Sequence, residues 1–225
     1  MTRYHLAGDS TVAPGKPPEH PMAGWGTFLA ERLGFEVCNH AFGGATTQSF
    51  LDVGSWQRLL DGVRSGDVVV IQFGHNDQKE AELDARGGFT DRLRAMIEDV
   101  RECDARAVLC TPVERRWFAG SRVDPTHGDY PNAVRELARS TGTPLVDLTA
   151  FTTWLYEDLG DRASRSLLSH YAPGEYPGWP DGLTDDTHFS VTGARRIAAF
   201  VALSLRAIAG LDGDQPAKGR RGIVP

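Results

Sequence analysis

Tyr4-His5-Leu6-Ala7-Gly8-Asp9-Ser10-Thr11 is an apolar run that stops at a glycine-led polar tetrad. A short apolar run closed by turn chemistry reads as a buried strand, here Tyr4–Ala7. Four more runs of the same kind follow, Phe35–Asn39, Val68–Phe73, Ala105–Cys110 and Leu145–Leu148. Between them the apolar residues change period. Trp25, Phe28, Leu29 and Leu33 recur at helical spacing, as do Trp56, Leu59, Leu60 and Val63. Phe89, Leu93, Met96, Ile97 and Val100 form the clearest stripe, after a Gly87-Gly88 break and with Thr90 as a candidate cap. Val134, Leu137 and Ala138 give a shorter helix ended by Gly142. Phe151, Trp154, Leu155 and Leu159 give another, with a further turn near Leu167. The last helix starts near Ser190 and aligns Ala194, Ile197, Ala198, Val201, Leu205 and Ile208. Strands alternating with helices call for an α/β fold, a parallel sheet covered on both faces. One domain over residues 1–211 is expected, with residues 212–225, rich in Gly, Pro, Lys and Arg, as a mobile tail.

The bulk numbers fit a soluble globular domain. The chain has 225 residues, enough for a sizeable core, and 40% hydrophobic with 24% charged residues. A net charge of -6 argues against a nucleic-acid partner, which needs a basic face. No apolar stretch reaches the ~20 residues of a membrane span, and the first strand starts too early to leave room for a signal peptide, so a cytoplasmic location is expected. Cys38, Cys103 and Cys110 form no CxxC motif and read as free thiols in a reducing compartment.

In a parallel sheet the binding residues collect at the carboxyl ends of the strands. Ser10 follows the first strand, Gly43-Gly44 the second, Gly74-His75-Asn76-Asp77 the third and Thr111–Phe118 the fourth. Near the far end of the chain stands Asp185-Asp186-Thr187-His188. These residues suit acyl transfer, which needs a nucleophile, a base, a group to orient the base, and donors for the developing oxyanion. Ser10 is the candidate nucleophile; a serine after a strand otherwise serves as a helix cap. His188 is the candidate base, since an imidazole with an ordinary pKa of ~6.5 exchanges protons near neutrality. Asp185 is preferred as its partner, and Asp186 remains the alternative. The Ser10 and Gly44 backbone N–H groups and the Asn76 side chain are the candidate oxyanion donors. Gly44 could equally serve a tight turn, and Asn76 could equally stabilise its loop. No metal-ligand spacing, P-loop, G-x-G-x-x-G or G-x-S-x-G is present, so neither a metal nor another cofactor is expected.

Taken together, Gly8-Asp9-Ser10, Gly44, Gly74-His75-Asn76-Asp77 and Asp185-x-x-His188 resemble the four blocks of the SGNH (GDSL-like) hydrolase superfamily. Ala7–Val12, Gln72–Lys79, Thr111–Arg116, Tyr176–Gly182 and Asp185–Ser190 resemble its rhamnogalacturonan acetylesterase-like branch. The resemblance implies a three-layer α/β/α, flavodoxin-like fold with a five-stranded parallel sheet in the order 2-1-3-4-5. It implies serine-dependent removal of acetyl groups from pectic sugars without a cofactor. By position, Ser10, His188 and Asp185 would be the triad, with Gly44 and Asn76 in the oxyanion hole. One departure stands out: the best-known members carry Gly-Arg-Ser where this chain has Gly44-Ala45-Thr46. The chain also resembles intracellular bacterial members, which points to acetylated oligosaccharide fragments as the substrate.

On the substrate side, Arg115, Arg116 and Trp117 follow the fourth strand. An arginine fork there would suit a uronic carboxylate and a Trp face a sugar ring; a solvated charge pair beside a buried Trp is the alternative. Trp179, in a Pro/Gly-rich loop, either lines the pocket or pins the loop. Lys79 reads as a surface charge and His127 as a support residue. Competing activities on the same residues are deacetylation of xylan fragments or small molecules, and lysophospholipase or thioesterase chemistry. A non-catalytic carbohydrate-binding protein is the alternative from another class.

Overall fold

The computed structural model describes residues 2–16 and 20–210. The tail expected from Asp212 onward lies outside the described residues. The strands are β1 (Tyr4–Gly8), β2 (Val37–Asn39), β3 (Val68–Gln72), β4 (Arg106–Cys110), β5 (Phe118–Ala119), β6 (Arg122–Val123), β7 (Leu145–Val146), β8 (Leu168–Tyr171) and β9 (Leu183–Phe189). The α-helices are α1 (Leu29–Leu33), α2 (Thr47–Asp52), α3 (Ser55–Gly62), α4 (Gly88–Glu102), α5 (Tyr130–Thr141), α6 (Leu148–Ser164) and α7 (Val191–Ala209). A parallel five-stranded sheet runs in the order β2-β1-β3-β4-β7. That is the expected 2-1-3-4-5 arrangement, with β7 as its fifth strand.

Side-chain alternation along the strands divides the core into two layers. Leu6, Val68, Val70 and Val108 face α1 and α7, where Trp25, Leu29, Leu33, Ile197 and Val201 pack against them. Ala7, Val69, Ile71 and Leu109 face the other side, against Phe50, Leu59, Phe89, Met96 and Leu137. Every residue of β1 and β3 is buried, as a sheet covered on both faces requires.

Several elements depart from expectation. The segment around Trp25 is a 3-10 turn, Trp25–Phe28, leading into the short α1. The helix α2 was not anticipated. Thr46 caps it by accepting from Ser49 N, and the Ser49 side chain accepts from Thr46 N in return. Thr90 does not cap α4, which already begins at Gly88; its hydroxyl bonds back to Ala85 O. Leu148 is not in β7 but opens α6, with Asp147 accepting from Ala150 N at the cap. Two antiparallel hairpins, β5-β6 and β8-β9, form small sheets of their own, and β9 carries Asp185 and His188.

A single helical turn follows β1, rather than a helix. Val12 N and Ala13 N both donate to Asp9 O. The Asp9 carboxyl caps this turn, accepting from Thr11 N (2.9 Å) and Thr11 Oγ1 (2.8 Å). Gln72 Nε2 donates to Thr11 Oγ1 (2.5 Å), and Trp25 Nε1 donates to Gln72 Oε1 (2.8 Å). All four side chains are buried. The other Asp9 oxygen is buried without a partner among the described residues. Burial, only partly offset by the Thr11 hydrogen bonds, pushes the Asp9 carboxyl from its ordinary 3.8 up to about 6.

The folded protein therefore holds this proton to higher pH than the unfolded chain does. Between pH 3.8 and about 6 it binds more protons than the unfolded state, so stability falls as pH rises through that window. The ionised carboxylate costs the fold ~3 kcal/mol above it. Asp9→Asn keeps an oxygen for Thr11 and carries no charge. In paired urea titrations its stability relative to the native chain is expected to rise by ~1–3 kcal/mol from pH 4 to pH 7. A difference that stays constant over that range would show that Asp9 is ionised throughout.

Candidate active site

Ser10 is the half-buried residue where β1 gives way to the turn capped by Asp9. Its Oγ lies 3.0 Å from His188 Nε2. His188 Nδ1 lies 2.7 Å from Asp185 Oδ2, and Asp185 Oδ1 accepts from Thr187 N (2.7 Å) and His188 N (2.9 Å). Burial favours the protonated Asp185 carboxyl, but the bonds from the His188 ring and the two backbone N–H groups outweigh it. The group is held below its ordinary 3.8. An ionised carboxylate only accepts, so a neutral His188 carries its proton on Nδ1 and offers the Nε2 lone pair to the Ser10 hydroxyl. The neighbouring Asp186 is committed elsewhere. Its Oδ1 meets His170 Nε2 (2.9 Å) and forms an ion pair with Arg116 Nε at 2.8 Å, too misaligned for a hydrogen bond. Asp185, not Asp186, meets His188.

The two chain segments are joined by residues 23–25. Ala23 N donates to Phe189 O, Gly24 N to Ala13 O and Trp25 N to Thr11 O. Gly24 has ordinary extended backbone, yet a Cβ there would stand 2.4 Å from the Val12 carbonyl carbon and 2.6 Å from Ala13 N. Only glycine allows this close approach, which fixes β9 against the Ser10 turn.

Gly44 follows β2 with φ of +78°, a left-handed conformation that favours glycine. Phe42 N donates to Gly8 O and holds this loop beside Ser10. Asn76 follows β3. Its Nδ2 donates to Ala45 O (3.0 Å) and its Oδ1 accepts from Lys79 Nζ (2.9 Å). One amide hydrogen is thereby used and the other remains for a ligand. Asp77 ties the loop to α2, accepting from Thr47 N and Thr47 Oγ1 at 2.7 Å each, and from Gly74 N at 3.0 Å.

Ser10, Gly44, Asn76, Asp185 and His188 share one cavity of about 620 Å³, with Trp179 in its wall. Trp179 Nε1 is buried with no partner among the described residues. Pro14, Gly15, Lys16 and Met22 are also part of the wall; no pattern in the sequence marks them beyond their closeness to Ser10. Arg115 and Trp117 do not line the cavity. The Arg115 guanidinium turns inward to His75 O (3.2 Å) and Thr126 Oγ1 (3.4 Å), and Trp117 is exposed beside β5. Arg116 is buried against Asp161 and Asp186. Among the described residues, no group of three or more His, Cys, Asp and Glu side chains is placed to hold a metal ion, and no helix is long and apolar enough to cross a membrane.

Known proteins resemble this chain in sequence and in fold. The chain is 42% identical over 200 residues to the rhamnogalacturonan acetylesterase RhgT of Bacillus subtilis, covering 88% of this chain and 86% of that protein. It is 42% identical over 217 residues to the rhamnogalacturonan acetylesterase of Emericella nidulans, covering 86% and 80%. The crystal structure of YxiM from Bacillus subtilis superposes with a TM-score of 0.78 at 25% identity, over 95% of this chain and 58% of that one. The model of the GDSL-like lipase/acylhydrolase family matches residues 6–196, and the chain belongs to that family.

Proposed function

We propose that this chain is an acetylesterase acting on rhamnogalacturonan-type pectic oligosaccharides, with Ser10 as nucleophile, His188 as base and Asp185 as its orienting partner. The observation that carries the chemistry is the unbroken line from Ser10 Oγ through both His188 nitrogens to Asp185, at 3.0 and 2.7 Å, on the wall of an open cavity. The sugar class rests on the two relatives at 42% identity, both rhamnogalacturonan acetylesterases.

In this reading Ser10 Oγ attacks the acetyl carbonyl as its proton passes to His188 Nε2. The Asp185 carboxylate stabilises the imidazolium. The oxyanion is met by the Ser10 and Gly44 backbone N–H groups and the remaining Asn76 amide hydrogen. As the tetrahedral intermediate collapses, His188 returns the proton to the departing sugar oxygen. A water activated by the same imidazole then releases acetate from Ser10. A buried N–H with no partner costs ~1–3 kcal/mol, a cost removed if Trp179 Nε1 donates to a sugar oxygen beside the acetyl group. Lys16, on the same wall, supplies a positive charge for a uronic carboxylate. The Arg115 fork is not part of this reading, because its guanidinium is engaged behind the site.

Ser10→Ala is expected to lower turnover of p-nitrophenyl acetate by ~10⁴-fold or more with an unchanged circular dichroism spectrum. A folded variant with native turnover would remove Ser10 as nucleophile. Trp179→Phe keeps an aromatic ring but loses the N–H. Its kcat/KM on an acetylated pectic oligosaccharide should fall ~5–10-fold, the effect of one hydrogen bond, with p-nitrophenyl acetate unaffected. Equal kinetics on both substrates would take the indole N–H out of sugar binding.

A further inference from the structure

Behind the Asn76 loop, away from the cavity, three buried ionisable side chains stand in a row. Glu114 Oε1 lies 2.9 Å from His127 Nδ1, and His127 Nε2 lies 3.1 Å from His75 Nδ1. Glu114, His127 and His75 are 2%, 1% and 3% exposed. Glu114 Oε1 also accepts from Arg115 N (2.9 Å), Thr126 N (3.2 Å) and Thr126 Oγ1 (2.6 Å). Burial works against its charge, but the bonds from His127, Thr126 and Arg115 prevail and hold the carboxyl below its ordinary value. Burial, reinforced by His127 and Arg115, drives His75 well below its ordinary value and keeps it neutral.

The charge on Glu114 fixes the first proton in the row. An ionised Glu114 only accepts, so His127 Nδ1 carries a hydrogen. His127 Nε2 and His75 Nδ1 share a single hydrogen between them. His75 Nε2 is buried with no partner among the described residues. Packing alone does not explain this. A buried carboxylate and two imidazoles are costly, and apolar side chains of similar volume would fill the space at least as well. The His75 backbone is held too, its carbonyl accepting from Arg115 Nη2 and Gln78 Nε2 at 3.2 Å each. The polar groups of this region therefore converge on the residue immediately before Asn76.

We infer that Glu114, His127 and His75 are positioning residues for Asn76: anchored at Glu114, the row fixes the peptide at residue 75 so that one Asn76 amide hydrogen stays on Ala45 O and the other faces the reacting carbonyl. The inference rests on the oxyanion role given to Asn76 above. None of the three residues lines the cavity, so their removal acts on the transition state through Asn76 and leaves ground-state binding nearly untouched.

The test is a double-mutant cycle read on p-nitrophenyl acetate. Glu114→Gln and His127→Leu are each expected to lower kcat ~10-fold with KM within about twofold of the native value, whereas His127→Gln, which can donate and accept, recovers most of the rate. Asn76→Ala should lower kcat by ~10²-fold or more, and adding His127→Leu or Glu114→Gln to it should change kcat by less than about twofold. A further ~10-fold loss in the Asn76→Ala background, or native kcat in both folded single variants, overturns the positioning role alone. Native kcat in Asn76→Ala overturns the oxyanion assignment first and the positioning role with it. Should Glu114→Gln fail to fold, the two His127 variants decide the same question.

Discussion

The hydrogen bond between Ser10 and His188 closes a loop of nearly the whole chain, and everything else at the site is arranged around it. Its partners are separated by 178 positions, so no local preference brings them together. They meet because β1 lies inside the sheet while β9 is laid against its carboxyl edge, and residues 23–25 bond to both. The tolerance is narrow. A hydroxyl and an imidazole exchange a proton only within hydrogen-bond reach, so a shift of 1 Å is costly. The tight approach at Gly24 is the steric expression of that limit: any larger residue would separate the two segments.

Electrostatics divides the carboxyls at and behind the site into two kinds. Asp185 receives three hydrogen bonds and remains charged, which fixes the His188 tautomer. Asp9, two bonds from Thr11 notwithstanding, keeps an oxygen with no partner and is raised to about 6. Each precedes or supports a catalytic candidate, but the bonds and charge of His188 outweigh burial at Asp185, whereas burial outweighs the Thr11 bonds at Asp9. Glu114 follows Asp185 rather than Asp9, with four donors on one oxygen.

Much of this was legible in the sequence. Buried parallel strands read as apolar runs bounded by turns, and all five sheet strands lie within the runs read from the chain or within one residue of them, because both sheet faces are covered. Ser10, Gly44 and Asn76 were legible for a related reason, each following a sheet strand at its carboxyl end, whereas Asp185 and His188, within β9 of a separate hairpin, were marked by their spacing. What stayed hidden depends on partners distant in the chain. The hairpin β8-β9 pairs across the Gly- and Pro-rich residues 172–182, whose composition announces a loop but not what it joins. The six-residue α2 shows only a Thr46/Ser49 capping pair, too brief for a periodic stripe. Arg115 illustrates a further limit. Its charge suggested solvent and a sugar carboxylate, whereas His75 O and Thr126 draw it inward. His127 and His75 stand 52 positions apart, and nothing in either neighbourhood announces the other.

The departure at Gly44-Ala45-Thr46 shows how one loop serves both scaffold and chemistry. Ala45 is fully buried against the core beside Phe50, and its carbonyl holds the Asn76 amide. Thr46 caps α2, and Thr47 at the next position binds Asp77. An arginine at position 45 would have to displace the buried methyl from that core or turn the loop outward, and either movement would shift the carbonyl on which Asn76 depends. With alanine there, Lys16, on the segment that follows Ser10, is the lysine among the residues lining the cavity.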